Sequence, residues 1–157
     1  MSDRIAVMNK ARIAQIGTPK DIYEMPASLF VTTFIGESNL LDVIVKRTSD
    51  GVAVVDLEGI EVRSGARALL PPGAAAKLVL RPEKVLIGEP IAREGLVSIE
   101  AVVVDQIYKG AQLRYRLRIG GQELVSEVQN RANAPRCVPG ARVRVGWDPS
   151  SSELLTA

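Results

Sequence analysis

The chain has 157 residues, 46% of them hydrophobic, and a formal net charge of +2; that length suits one large or two small domains, and that charge exerts no strong pull on nucleic acid or acidic lipid. A single cysteine, Cys137, excludes an internal disulfide and fits a reducing compartment, and with no histidine in the sequence no metal site is credible. No apolar stretch approaches the ~20 residues of a membrane-spanning helix, and the N-terminus lacks the charge, apolar run and small-residue cleavage site of a signal peptide.

Arg4 to Met8 and Arg12 to Ile16 read as two short strands joined by Asn9-Lys10-Ala11. Alanine at position 11 does not tolerate the positive φ that glycine would, which leaves the turn type open. Thr18 is a good N-cap, Pro19 suits the first helical position, and Asp21 at N3 completes a capping box, so a short helix is predicted through Glu24. A second helix is predicted from Ser28 to Ile35, closed by Gly36 in the C′ position. Its Phe30, Phe34 and Val31, Ile35 pairs at i, i+4 spacing form one apolar stripe.

From Asn39 onward the apolar pattern changes to period two. Leu41 to Lys46, Val52 to Leu57, Ile60 to Arg63, Lys77 to Arg81, Ile99 to Tyr108, Leu113 to Ile119, Glu123 to Gln129 and Arg142 to Trp147 read as strands. Turns fall at Asp50-Gly51, Glu58-Gly59, Pro71-Pro72-Gly73, Lys109-Gly110, Gly120-Gly121 and Pro139-Gly140. Short strands at this spacing point to an all-β barrel or sandwich. Pro72-Gly73-Ala74, followed by Arg81-Pro82, is echoed at the same internal spacing by Pro139-Gly140-Ala141 and Asp148-Pro149. The echo suggests two related half-domains, about 37–90 and 91–157, each a small barrel that stabilises the other by packing.

Ser2-Asp3-Arg4-Ile5-Ala6-Val7-Met8-Asn9, Gln15-Ile16-Gly17-Thr18-Pro19, Ile22-Tyr23, Pro26-Ala27, Phe30-Val31 and Phe34-Ile35-Gly36 closely resemble the end of the nucleotide-binding domain in ATP-binding-cassette import subunits. Further on, Gly95-Leu96-Val97, Tyr108-Lys109-Gly110, Tyr115-Arg116-Leu117, Gly121-Gln122-Glu123-Leu124, Val128-Gln129-Asn130 and Val145-Gly146-Trp147-Asp148-Pro149 are similar, in order, to the motifs of the transport-associated oligonucleotide-binding-like (TOBE) domain. Arg81-Pro82-Glu83 resembles that domain's "RPE" element. The resemblance implies a mainly β fold with tandem OB-like barrel or sandwich halves, preceded by a short β-hairpin and two short helices. Residues 1–36 would be the terminal segment of the nucleotide-binding domain and 37–157 the regulatory domain.

The version with "RPE" and "Y-x-G" is most similar to importers of the polyamines spermidine and putrescine, with sugar, iron and other small-solute importers close behind. It implies a homodimerising regulatory domain, cytoplasmic and peripheral to the inner membrane, without direct membrane insertion. Through its own catalytic domain it would reach the membrane permease subunits. ATP and magnesium would belong to that catalytic domain, and no cofactor to this sequence. The phosphate-cradling G-x-x-x-x-G-K-[ST] loop is absent, as is the histidine that the family places upstream of "SDRIAVM". Ile119-Gly120-Gly121-Gln122 is similar to the tail of the family's "LSGGQ" signature, but it lacks the serine and lies between two strand patterns, so it reads as a hairpin turn. No nucleophile has a plausible base, and no catalytic residue is proposed. The chain reads as an importer ATPase subunit severed from its catalytic domain.

Arg81, Glu83, Tyr108, Gly110 and Trp147 are the candidate interface or ligand residues. Tyr108 and Trp147 are able to stack on a ligand, although a lone aromatic residue at a strand end more often caps a small core. Arg81 and Glu83 are placed to bridge two subunits; the plainer reading is an exposed strand end where Pro82 breaks pairing. Arg114, Arg116 and Arg118 form a stripe that would suit phosphates on an OB-type barrel. With Gly120-Gly121 as a two-residue loop, however, Arg118 falls opposite Glu123 and Arg114 opposite Glu127, which neutralises the stripe and sets Leu117 against Leu124 and Leu113 against Val128.

Three functions from different classes follow. The first is a structural and regulatory module that pairs two ATPase subunits. The second is a small-ligand sensor regulating a sugar, iron or oxyanion importer, ranked lower because no compact Ser-Ala-Arg-Asn-type loop is present. The third is a nucleic-acid-binding OB module, weakened by the near-neutral charge and the few aromatic residues.

Overall fold

Hydrophobic alternation builds two kinds of unit, a helical N-terminal segment and a β module, and the computed structural model describes them over residues 3–88, 95–132, 134 and 136–156. In the segment, β1 (Ile5–Asn9) and β2 (Arg12–Gly17) form an antiparallel hairpin with Asn9 opposite Arg12. The two loop residues, Lys10 and Ala11, hold φ of 50° and 61°. That is the left-handed pair that matches the twist of a two-residue hairpin, adopted here without a glycine.

Helix α1 (Pro19–Glu24) starts on the expected capping box. The Asp21 N–H donates to Thr18 Oγ1 at 3.1 Å, and the Thr18 N–H donates to the Asp21 carboxylate at 3.3 Å. Helix α2 (Leu29–Ile35) is capped by Ser28, whose hydroxyl accepts from the Val31 N–H at 3.3 Å. Its end departs from expectation. Gly36 has φ 176°, extended backbone that any residue adopts, so no left-handed stop operates there. Val31 is buried and Phe30 and Ile35 pack beside it, but Phe34 is exposed at 64%, so the predicted stripe is only partly inward. The core of the segment is small: Val7, Ile22 and Val31, with Ile5, Ala14, Phe30 and Ile35 around them.

The β module contains β3 (Asn39–Ser49), β4 (Val52–Leu57), β5 (Ile60–Gly65), β6 (Ala75–Leu80), β7 (Leu86–Ile87), β8 (Val97–Lys109), β9 (Gln112–Ile119), β10 (Gln122–Gln129), β11 (Arg142–Trp147) and β12 (Ser152–Leu155). Strands β12-β5-β4-β3-β6 close a barrel, and β10-β9-β8-β11-β7 form a curved five-stranded sheet. The fold is mainly β, as expected, with every predicted strand present.

The two sheets do not follow the half-domains predicted at 37–90 and 91–157. Leu86–Ile87, from the first half, pairs with β11 in the second sheet, and Ser152–Leu155, at the end of the second half, returns to pair with β6 in the first barrel. The physical reason is closure. Strand β6 pairs with β3 on one side, and without β12 its other side would be an open edge. Leu154 of β12 is buried in the core.

Leu41, Val55 and Leu78 from the barrel and Leu113, Leu117, Leu124 and Trp147 from the sheet belong to one continuous core. At the seam, two side-chain amides replace a backbone ladder. Asn39 of β3 brackets Val125 of β10, accepting from its N–H at 2.7 Å and donating to its carbonyl at 2.8 Å. Gln122 of β10 does the same to Asp42 of β3, at 2.7 and 2.9 Å. The edge strand β10 is thereby covered.

Candidate functional site

Arg81 stands where β6 ends and a single 3-10 turn, Pro82–Lys84, begins. It is not the exposed strand end of the plainer reading, since only 7% of its surface is exposed. One terminal nitrogen donates to Ser38 Oγ at 2.7 Å, the Glu37 carbonyl at 3.1 Å and the Thr32 carbonyl at 3.5 Å. The other donates to the Tyr23 carbonyl at 3.1 Å, and the guanidinium carbon lies 4.3 Å from the centre of the Tyr23 ring. A buried cation needs acceptors, and here backbone carbonyls, a hydroxyl and a π face supply them. Tyr23 and Thr32 lie in the last turns of α1 and α2, where carbonyls lack helical partners and the dipole is negative. One arginine therefore caps both helices, which accounts for the end of α2 without a left-handed glycine.

Glu83 completes this contact. It accepts the Tyr23 hydroxyl proton in a hydrogen bond, and Tyr23 is pushed up to about 12, first by burial and then by that carboxylate. Arg67, between β5 and β6, donates to the Met25 carbonyl at 3.4 Å and to the Pro26 carbonyl, while its Nε is held by Glu153 of β12 at 2.9 Å. From the second sheet, Arg114 of β9 takes both carboxylate oxygens of Glu37, one of them at 2.7 Å, and reaches Glu127 at 3.1 Å. Its hydrogen bonds hold the Glu37 carboxyl below the usual carboxylate range. Three arginines from three places in the β module thus grip residues 23–38. A cleft of about 610 Å³ opens beside them between Met25, Arg67, Glu83 and Ser150.

The five candidate residues do not converge on one site. Arg81 and Glu83 meet around Tyr23. Tyr108, 65% exposed, lies at the far end of β8 and does not cap the core, and Gly110 (φ 62°) turns that strand into β9. Trp147 is fully buried in the shared core, and its indole N–H has no hydrogen-bond partner among the described residues. The sequence reading missed Tyr23, Arg67 and Glu37. A signal existed only for Tyr23, a lone aromatic residue in the last turn of a capped helix.

The arginine stripe has the predicted register, with Arg118 opposite Glu123 and Arg114 opposite Glu127. The ion pairs differ in one detail. Glu123 leans diagonally to Arg116, 3.9 Å away, and Arg116 is held more closely by Asp105 at 2.8 Å. Behind the stripe Leu113, Tyr115, Leu117 and Ile119 are buried, giving the apolar inner face. Among the described residues no group of histidine, cysteine, aspartate or glutamate could hold a metal ion, and no helix is long and apolar enough to cross a membrane.

The donors and acceptors at this joint are occupied by one another, and the barrel and curved sheet behind it are OB-like. That defines the class: an OB-like β module built to hold an adjoining helical segment. Residues 78–155, about half of the chain, match the TOBE domain. It is 40% identical over 161 residues to the spermidine/putrescine import ATP-binding protein PotA of Methylococcus capsulatus, covering 99% of this chain and 41% of that protein. It is 36% identical over 157 residues to the PotA of Thermobifida fusca, with the same coverage of 99% and 41%. The chain therefore spans about 41% of the length of the curated relatives it matches. Among solved structures, the cytoplasmic molybdate-binding protein ModG, with molybdate bound, matches with a TM-score of 0.62 at 18% identity, covering 76% of this chain and 96% of its own. That likeness is one of fold alone.

Proposed function

We propose that this chain is the regulatory and pairing part of the ATP-binding subunit of an ABC-type importer, with polyamines of the spermidine and putrescine class as the cargo. The observation that carries the reading is the similarity to import ATP-binding proteins across 99% of the chain, which takes in the helical segment as well as the β module. In the parent subunit ATP and magnesium are held outside these residues. The β module pairs with a second copy, and the assembly lies on the cytoplasmic face of the membrane through the permease subunits.

The shared core and the amide brackets suit this role. A module that keeps two subunits together while their nucleotide sites open and close must transmit force without deforming, and close-packed interiors do so. A two-fold contact is the commonest arrangement for identical chains. Nucleic-acid binding is the weaker reading, because Arg114 and Arg116 are engaged by Glu37, Glu127 and Asp105.

Sedimentation equilibrium of the chain tests the pairing. A dimer whose contact survives deletion of residues 3–36 is the expected result; a monomer at tens of micromolar, or a dimer held only through residues 3–36, overturns it. The cargo is tested separately, by uptake into vesicles carrying the whole importer. Transport of a sugar but not of spermidine would reject the polyamine assignment.

A further inference from the structure

The outer face of the curved sheet is striped by charge, strand by strand. Strand β10 presents Glu123 there, β9 presents Arg116 and Arg118, β8 presents Glu100 and Asp105, and β11 presents Arg142 and Arg144. Asp105 reaches this face because the β8 ladder shifts register between Val103 and Asp105, and that bulge sets Asp105 opposite Arg116. Across β10-β9-β8-β11 the sign therefore runs minus, plus, minus, plus. The side chains of Glu123, Glu100 and Arg142 are more than half exposed. Among the described residues Arg118 and Arg144 have no ion pair in their own chain. At one end of the face Arg114 and Glu127 are taken up with Glu37 and with each other.

We infer that this striped face is where a second copy of the chain docks, about a two-fold axis that runs parallel to the strands between β8 and β9. Sheets stacked face to face keep their strand directions within about 30° of each other. That leaves two kinds of two-fold axis in the plane of contact, one across the strands and one along them. An axis across the strands lays each strand over its own copy, so carboxylates meet carboxylates and guanidiniums meet guanidiniums. An axis along the strands between β8 and β9 reverses the strand order, laying β10 over β11 and β9 over β8. A series of four alternating signs changes sign at every place when it is reversed, so each stripe then meets its opposite. Glu123 comes over Arg142 of the second copy and Arg116 over Asp105 of the second copy, each contact occurring twice. Arg118, without an ion pair in its own chain, comes over the strand that holds Glu100. Like charges set against each other are heavily penalised at an interface, so the stripes select the axis as well as the face. The inference rests on the pairing reading above and adds to it the surface and its geometry.

Charge reversal in the whole chain, read by sedimentation equilibrium, tests the face. Glu123→Arg and Arg142→Glu each set like charges against each other and are expected to weaken the dimer about tenfold or more. Combined in one chain, the two reversals restore the contact between copies and should recover most of that loss. Their effects on contacts within the chain are not repaired by the combination, so recovery reads the interface alone. Cross-linking in a Cys137→Ser background tests the axis. An equal mixture of Glu123→Cys and Arg142→Cys chains should join through a short bis-maleimide, since stacked sheets lie about 10 Å apart. Glu123→Cys chains alone should join far more slowly, because the two copies of that position stand three strand spacings, roughly 14 Å, apart sideways. Joining of Glu123→Cys chains alone as fast as the mixture overturns the axis. A dimer indifferent to both reversals, or one that the combination does not recover, overturns the face and leaves the pairing reading standing. A chain with native charges that stays monomeric removes the pairing reading, and this inference with it.

Discussion

Ala11 is the residue whose identity conflicts most with its conformation. It holds φ 61° in the two-residue turn beside Lys10 at φ 50°, in the region where an L side chain costs about 1–2 kcal/mol and glycine costs little. The hairpin keeps this turn because β1 and β2 pair closely on either side and Val7 is anchored in the small core. Ala11→Gly is therefore expected to stabilise the hairpin by about 0.5–1 kcal/mol net, because part of the relief is offset by the greater freedom of glycine in the unfolded chain. Protection of the β1 and β2 amides against hydrogen exchange reads this directly. Lower protection in the variant would mean that the strain at Ala11 is not where the turn stores its energy. Conformation at this position was not legible in the sequence, since alanine gives no sign of a left-handed turn; the pairing of Asn9 with Arg12 decides it.

At the scale of elements, the strands that alternate over six or more residues were legible, and so was the hairpin register around Gly120-Gly121. Period two fixes which face a side chain occupies, and a two-residue loop fixes which residues oppose. Strands β7 and β12 were not legible, because Leu86–Ile87 and Ser152–Leu155 are too short to show a period and exist only as partners of β11 and β6. Gly65 shows how closely the returning strand approaches. A Cβ there would lie 2.9 Å from the Ser152 carbonyl oxygen, so the backbones meet where only glycine fits. Gly65→Ala is expected to push β12 away from β5 and to cost about 1–3 kcal/mol, the range of overpacking in a tight site. An unchanged unfolding midpoint would show that β12 shifts freely and does not close the barrel. The amide brackets carry a second expectation. With Asn39→Ala and Gln122→Ala together, the Val125 and Asp42 N–H groups lose their acceptors, and their exchange should quicken more than that of their strand neighbours. Equal rates before and after would mean that water or backbone already satisfies these groups.

For the whole molecule the uneven distribution of core dictates an order of loss. The segment fully buries three hydrophobic side chains in its own core, whereas the β module buries a continuous cluster drawn from both sheets. At about 1.5–3 kcal/mol per buried side chain, against roughly 1–2 kcal/mol for each residue ordered, the segment depends on its seat on the module. Two titrating groups at that seat set the pH range in which it holds. Glu37 is depressed in the folded state by Arg114, so its contribution is present above the ordinary carboxylate range and is lost as pH falls through its folded value. Tyr23 is raised to about 12 by burial and Glu83, so its contribution is present below the ordinary tyrosine value and is lost as pH rises through about 12. Both groups are partly exposed, which keeps each effect modest. The amides of β1, β2, α1 and α2 should accordingly exchange faster than those of β8, β9 and β10 throughout. The gap should be smallest at neutral pH and widen as the solution is acidified through the carboxylate range, once rates are corrected for the intrinsic pH dependence of exchange. In Glu37→Gln the acid-dependent widening should largely disappear while the Tyr23 limit at high pH remains. Uniform protection across both parts, or acid widening that persists undiminished in Glu37→Gln, would show that the segment is secured by something other than the arginine contacts.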